Sequence, residues 1–126
     1  MSELRSAVEA FRSETLSRLP DARIEEDFAE LQRVAELLEV ERLRRLAEIE
    51  RRRLFERDGH LSAASWLATT HRVGWEKARA SVRSALALEE MPLVRRALED
   101  GDISMSEVDL LVSARDEDPQ AFQGAE

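Results

Sequence analysis

From Ala22 to Arg57 the chain runs without a glycine or proline, and apolar residues recur every three or four positions. Ile24, Phe28, Leu31, Ala35 and Leu38 follow a 4-3-4-3 spacing, the interval that lines one seam of a helix. Continuing that register would put Arg42 and Arg45 on the seam. Instead Leu43, Ala47 and Leu54 carry the apolar face, rotated by about a third of a turn at roughly 100° per residue. The pattern predicts one helix of about 35 residues, about 50 Å long at roughly 1.5 Å per residue. Its two halves should meet different partners, or the helix should bend near Val40. A long regular dimeric coil is the poorer reading.

Ahead of it, Ser2 is placed to cap a first helix with Leu4, Ala7, Val8, Phe11 and Leu16 near helical spacing. That helix should stop near Leu19-Pro20, because a residue before proline is pushed out of helical geometry. Asp21 is then the expected cap of the long helix. Asp58-Gly59 should end it, glycine being suited to the left-handed position after a helix.

Four shorter helices follow. Ser62 caps one that turns Ala64, Trp66 and Leu67 inward, and after Val73-Gly74 another runs from Trp75 to about Leu88 with Ala78, Val82, Ala85 and Leu86 on one face. Pro92 opens the third, where its missing N–H does no harm, with Leu93, Val94, Ala97 and Leu98 as core contacts and Gly101 as the stop. Ser104 and Glu107 form a capping box before Val108, Leu110, Leu111 and Val112. Asp118-Pro119 then announces a further helix through Gln120-Ala121-Phe122, which suggests a fragment cut where another helix should start. The expectation is an all-α fold: a long N-terminal helix or helical arm (residues 1–58), a compact cluster of about four short helices including a helix-turn-helix-like pair (59–115), and an acidic linker (116–126).

Composition agrees. Charged residues make up 37% and aromatics only 5%, which suits amphipathic helices with solvated outer faces. The absence of cysteine excludes disulfides and thiolate metal sites. No apolar run approaches the roughly 20 residues that span a bilayer, and the N-terminus lacks a basic-then-apolar signal, so cytoplasmic residence is the default expectation.

Net charge is −8, which argues against generic nucleic-acid binding, but the charge is unevenly spread. Residues 1–59 hold 12 basic and 15 acidic side chains, 60–96 hold 6 and 3, and 97–126 hold 1 and 9. Any phosphate contact should therefore come from the middle of the chain.

Three fixed points recur in that middle: a Ser-rich helix start running into Trp66-Leu67-Ala68, a Leu88-x-x-Met91-Pro92 step, and an Ala97-Leu98-x-x-Gly101 stop leading into Ile103-Ser104. From roughly Leu31 to the C-terminus, their order and spacing resemble the actinobacterial domain of unknown function called the thirteen-E-twelve repeat family. The resemblance implies a helical region that stands ahead of an HNH endonuclease domain. The His-rich catalytic module of such a nuclease is missing from these 126 residues, as are a Gly-rich phosphate loop, a nucleophile elbow and a Cys–His pair. Neither catalysis nor a cofactor nor a small-molecule substrate is expected of this chain.

Two functional readings follow. In the first, Trp66-Leu67-Ala68, Val73-Gly74, Ala78 and Val82 form a helix-turn-helix whose second helix presents Lys77, Arg79 and Arg83, with Arg72 at the turn, to DNA phosphates or guanine edges. Two departures stand out: Arg72 where glycine is more usual, and Glu76 facing phosphate. The simpler alternative is a helical hairpin with a solvated basic face. In the second reading the chain is a self-association or protein-docking module that buries Phe11, Ile24, Phe28, Leu31 and Leu38, forming a homodimer through its N-terminal helices. The arginine band Arg42, Arg44, Arg45, Arg51, Arg52, Arg53 and Arg57 could follow a nucleic-acid backbone. Glu41, Glu48, Glu50 and Glu56 stand three or four residues from several of these arginines, and intrahelical pairing explains the band more simply. The carboxylates at Asp100-Asp102 and Asp116-Glu117-Asp118 read as turn chemistry, and His60 and His71 as caps or surface residues, so no metal site is expected.

Overall fold

Ser2, Ser62 and Ser104 begin three helices for one reason: the first N–H groups of a helix lack intrahelical acceptors, and a serine hydroxyl supplies one. The computed structural model describes residues 2–122. Ser2 Oγ accepts from Arg5 N–H at the head of α1 (Glu3–Arg12), and Ser62 Oγ from Ser65 N–H at the head of α3 (Ala63–Thr70). Ser104 and Glu107 close the predicted capping box at the head of α6 (Met105–Glu117). The remaining helices are α2 (Asp21–Arg52), α4 (Trp75–Glu89) and α5 (Pro92–Glu99), with Pro92 in the first turn as expected. Short 3-10 turns cover Leu16–Arg18, Leu54–Asp58 and Pro119–Phe122. Among the described residues there are six α-helices and no strand, so the chain is all-α. The expected helix after Pro119 is a 3-10 turn as far as Phe122, and its continuation lies outside the described residues.

Several boundaries differ from expectation. α1 stops at Arg12 rather than near Leu19-Pro20, because Ser13 Oγ donates to the Ala10 carbonyl at 2.8 Å and competes with the next helical N–H. Asp21 is the first residue of α2 rather than its cap; the carbonyl of Pro20 accepts from the N–H groups of Arg23 and Ile24. α2 ends at Arg52, short of Arg57. Arg53 takes a left-handed conformation (φ 53°, ψ 41°), and the following turn brings Phe55, 1% exposed, against α3. Leu54 is thereby removed from the apolar face assigned to the long helix.

The chain divides into two units, Met1–Gln32 and Arg33–Glu126, and the division falls within α2. Residues 33–52 of α2 belong with the short helices because Val40, Leu43, Leu46 and Ala47 enter their core. Val40, where the sequence pattern changes face, is the first buried residue of the helix. α4 lies against α3, α5 and α6, and its inner face is small enough for that: Ala78, Ser81, Ser84 and Ala85 are all buried. Leu67, Leu88, Met91, Leu98, Val108 and Val112 fill the space around it. Three expected core residues lie outside. Leu93 and Leu110 are 62% and 71% exposed, and Leu86 is exposed as well. Five residues separate Leu93 from Leu98, which places the two about 140° apart around α5, and Leu110 faces away from Val108 by a similar angle.

Polar contacts complete this second unit. The Arg33 guanidinium donates to the carbonyls of Leu98 and Glu99 at the C-terminal end of α5, and one turn along α2 Glu36 accepts from Met105 N–H at the start of α6. Each charge opposes the sign of the helix end it meets. Arg42 bonds to the buried Ser81 hydroxyl at 3.1 Å, and Ser84 to Asp109 at 3.4 Å, so both buried serines are satisfied.

The first unit is built differently. None of its described residues is buried: α1 has no buried position and neither does α2 before Val40. At the start of α2, Arg23 pairs with both Glu14 and Asp27.

Candidate functional site

α3, the connection His71–Gly74 and α4 form the helix pair that the sequence marks as helix-turn-helix-like, and the two helices pack closely. The connection is tight because Arg72 adopts the left-handed region (φ 55°), the conformation for which glycine is the usual residue. Trp66 is only half-buried; its Nε1 donates to Asp58 at 3.1 Å, and its ring meets His71 edge-on with centroids 5.0 Å apart. Trp75 at the start of α4 is half exposed.

The four candidate phosphate contacts are all exposed, but they do not share one face. Arg79 and Arg83 lie about 40° apart on α4, beside Glu76 and Ala80. Lys77 stands about 160° around the helix from Arg79 and borders a different depression, together with Glu39, Arg42, Ser81 and Asp109. Arg72 precedes the helix. Arg79 pairs with Glu76 and Arg83 with Asp116, both at 3.6 Å and both exposed. Arg72 and Lys77 take no ion pair among the described residues.

Six of the seven arginines in the band pair with glutamates three or four residues away, and Arg57 takes no ion pair among the described residues. Arg42 binds Glu39, Arg44 and Arg45 bind Glu41, Arg51 and Arg52 bind Glu48, and Arg53 binds Glu56. Hydrogen bonds from Arg44 and Arg45 hold the Glu41 carboxyl below its ordinary range, and those from Arg52 and Arg51 do the same to Glu48. The Arg44 guanidinium is correspondingly raised by its bond to Glu41. Exposed pairs of this kind contribute little each and leave few free cations for a polyanion.

Beside the band lies a pocket of about 350 Å³ lined by Leu46, Ile49, Trp66, Leu67, His71 and Val73, with Arg42 and Arg45 at its edge. His60 meets the Ser65 hydroxyl at 3.2 Å, and His71 ends α3. Asp100 ends α5, Asp102 N–H closes back on the Ala97 carbonyl at 2.8 Å, and Asp116 faces Arg83. Among the described residues no three carboxylates or imidazoles converge as metal ligands would. No helix among them is long and apolar enough to cross a membrane.

The candidate self-association residues fall in both units. In the first, Ile24, Phe28 and Leu31 are exposed, Phe28 by 67% and Leu31 by 44%, while Phe11 on α1 is half-buried. In the second, Leu38 is exposed. Leu4 and Val8 add two further exposed apolar residues to α1, at a 4-3 spacing with Phe11. Sequence reasoning missed Arg33, Glu36 and Phe55. Each acts over more than a helical turn on a partner remote in sequence or set by a left-handed backbone, and no local spacing signals that.

The class these observations define is an all-α chain with a packed helical core and a separate, coreless amphipathic segment. No family model, curated protein or solved structure matches it.

Proposed function

We propose that this chain is a non-catalytic helical docking module. Its second unit is a self-supporting core, and its first unit is an amphipathic segment that becomes buried when it meets another helix. The observation that carries this reading is a segment with no buried residue that nevertheless holds Leu4, Val8, Phe11, Ile24, Phe28 and Leu31. Helices shorter than about 12–15 residues are marginal alone in water, and α1 has 10. Burying a Leu, Ile or Phe side chain stabilises by about 1.5–3 kcal/mol, a gain the isolated segment forgoes. The resemblance of residues 31–126 to the family that precedes HNH nuclease domains supports a context in which the module brings a nuclease to its partner.

The test uses the full chain and a labelled helical peptide carrying leucines in 4-3 spacing flanked by glutamine. Binding of that peptide, or association of the chain with itself in sedimentation equilibrium, should disappear in the Phe28→Gln/Leu31→Gln variant. Absence of both interactions in the unaltered chain rejects the docking reading.

A second reading keeps DNA as partner, and one observation favours it. Arg72 and Lys77 are exposed without ion pairs, and the pairs of Arg79 and Arg83 at 3.6 Å are loose enough for phosphate to displace. Here the module aids DNA recognition or positioning by its nuclease neighbour. Replacing Arg72, Lys77, Arg79 and Arg83 by Ala should abolish DNA retention at low salt. Unchanged retention removes this surface from consideration.

A further inference from the structure

We infer that the occupant of the first unit's apolar seam is a basic amphipathic helix from a partner protein, rather than a second copy of this chain; the inference rests on the docking reading. Ile24, Phe28 and Leu31 on α2 form the exposed seam. What borders it decides the partner. At about 100° per residue, Asp21 and Glu25 lie along one side of the stripe and Asp27 along the other. Asp27 is engaged by Arg23, whereas Asp21 and Glu25 carry no ion pair among the described residues.

Across Met1–Gln32 the count is four arginines against eight carboxylates, a net charge of −4. Residues bordering a helical seam choose the partner by charge, and like charges across it are repulsive. Two copies of this seam packed antiparallel would set the unpaired Asp21 and Glu25 of one beside the same carboxylates of the other. A helix whose apolar stripe is bordered by lysine or arginine would instead neutralise them and bury Phe28 and Leu31 in the same step. The same acidic border disfavours a nucleic-acid backbone on this face.

The experiment compares three labelled helical peptides on the full chain by fluorescence anisotropy. All carry the same leucine seam, bordered by lysine, glutamine or glutamate. The lysine peptide should bind at least about tenfold more tightly than the glutamine peptide, and the glutamate peptide more weakly still. That preference should shrink as salt shortens the screening length from about 10 Å at 0.1 M to about 3 Å at 1 M. It should fall in the Glu25→Lys variant, and binding should be lost in Phe28→Gln/Leu31→Gln with the circular dichroism of the second unit retained. Equal affinity for all three peptides, or a dimer of the chain alone that Phe28→Gln/Leu31→Gln dissolves, overturns the basic partner while leaving the docking reading in place. No peptide bound and a monomer at all concentrations overturns both.

Discussion

At the scale of single residues, backbone conformation and buried volume separate positions that look alike in the sequence. Arg72 sits at φ 55° and Gly101 at φ 82°, both in the left-handed region that a Cβ disfavours by about 1–2 kcal/mol. Arg72→Gly should therefore be more stable than Arg72→Ala by about 1 kcal/mol in urea unfolding, and equal stabilities would show that the turn relaxes. A Cβ on Gly101 would stand 3.1 Å from the Arg33 guanidinium carbon, so Gly101→Ala adds displacement of the α5 cap to backbone strain. Its expected cost is about 1–3 kcal/mol. Leucines divide as sharply. Leu98→Ala, at 0% exposure, should lose about 2–5 kcal/mol, whereas Leu110→Ala should stay within about 0.5 kcal/mol. A large loss at Leu110 in the same unfolding series would mean that this exposed face is covered in solution.

At the scale of elements, the caps of α1, α3, α5 and α6 were legible, whereas the start of α2 at Asp21 and its end at Arg52 were not. Ser2, Ser62, Pro92 and the Ser104–Glu107 box all operate as their local sequence predicts, because a cap is a contact within about one turn. The end of α2 was misplaced because nothing local stops it. Arg53 turns left-handed so that Phe55 reaches α3, a demand made by packing. Along α2, Glu41 and Glu48 are held below the ordinary carboxyl value of 4.5 by their arginines. Groups depressed on folding stabilise fully above the unfolded value and lose that contribution as pH falls through the folded one. The thermal midpoint should therefore be level down to about pH 4.5 and decline below it. In the Glu41→Gln/Glu48→Gln variant the decline should be shallower; an unchanged slope would assign it to other carboxylates.

At the scale of the molecule, the two units should respond differently to the same challenge. Residues 33–126 contain every buried side chain among the described residues, and residues 2–32 contain none. Limited trypsin digestion should cut first at Arg12, Arg18 or Arg23 and leave a resistant fragment containing α3 to α6. Initial cuts within α4 or α6 would contradict this division of stability. Loss of the first unit should barely move the thermal midpoint of what remains, since it removes no core contact.

The sequence alone was sufficient for the helical class, the order of the short helices, their caps and the change of apolar face at Val40, because periodicity and capping are local physics with a range of one or two turns. It also marked Arg72, Lys77, Arg79 and Arg83 as a group and Ile24, Phe28 and Leu31 as a seam. Only the tertiary structure decided that the seam stays exposed while Leu43 and Ala47 on the same helix are buried. Exposure is the sum of contacts with residues far along the chain, whereas most of the ion pairs join residues within one turn. A pattern of spacings specifies which side chains share a face; the packing of remote helices decides whether that face meets protein or water.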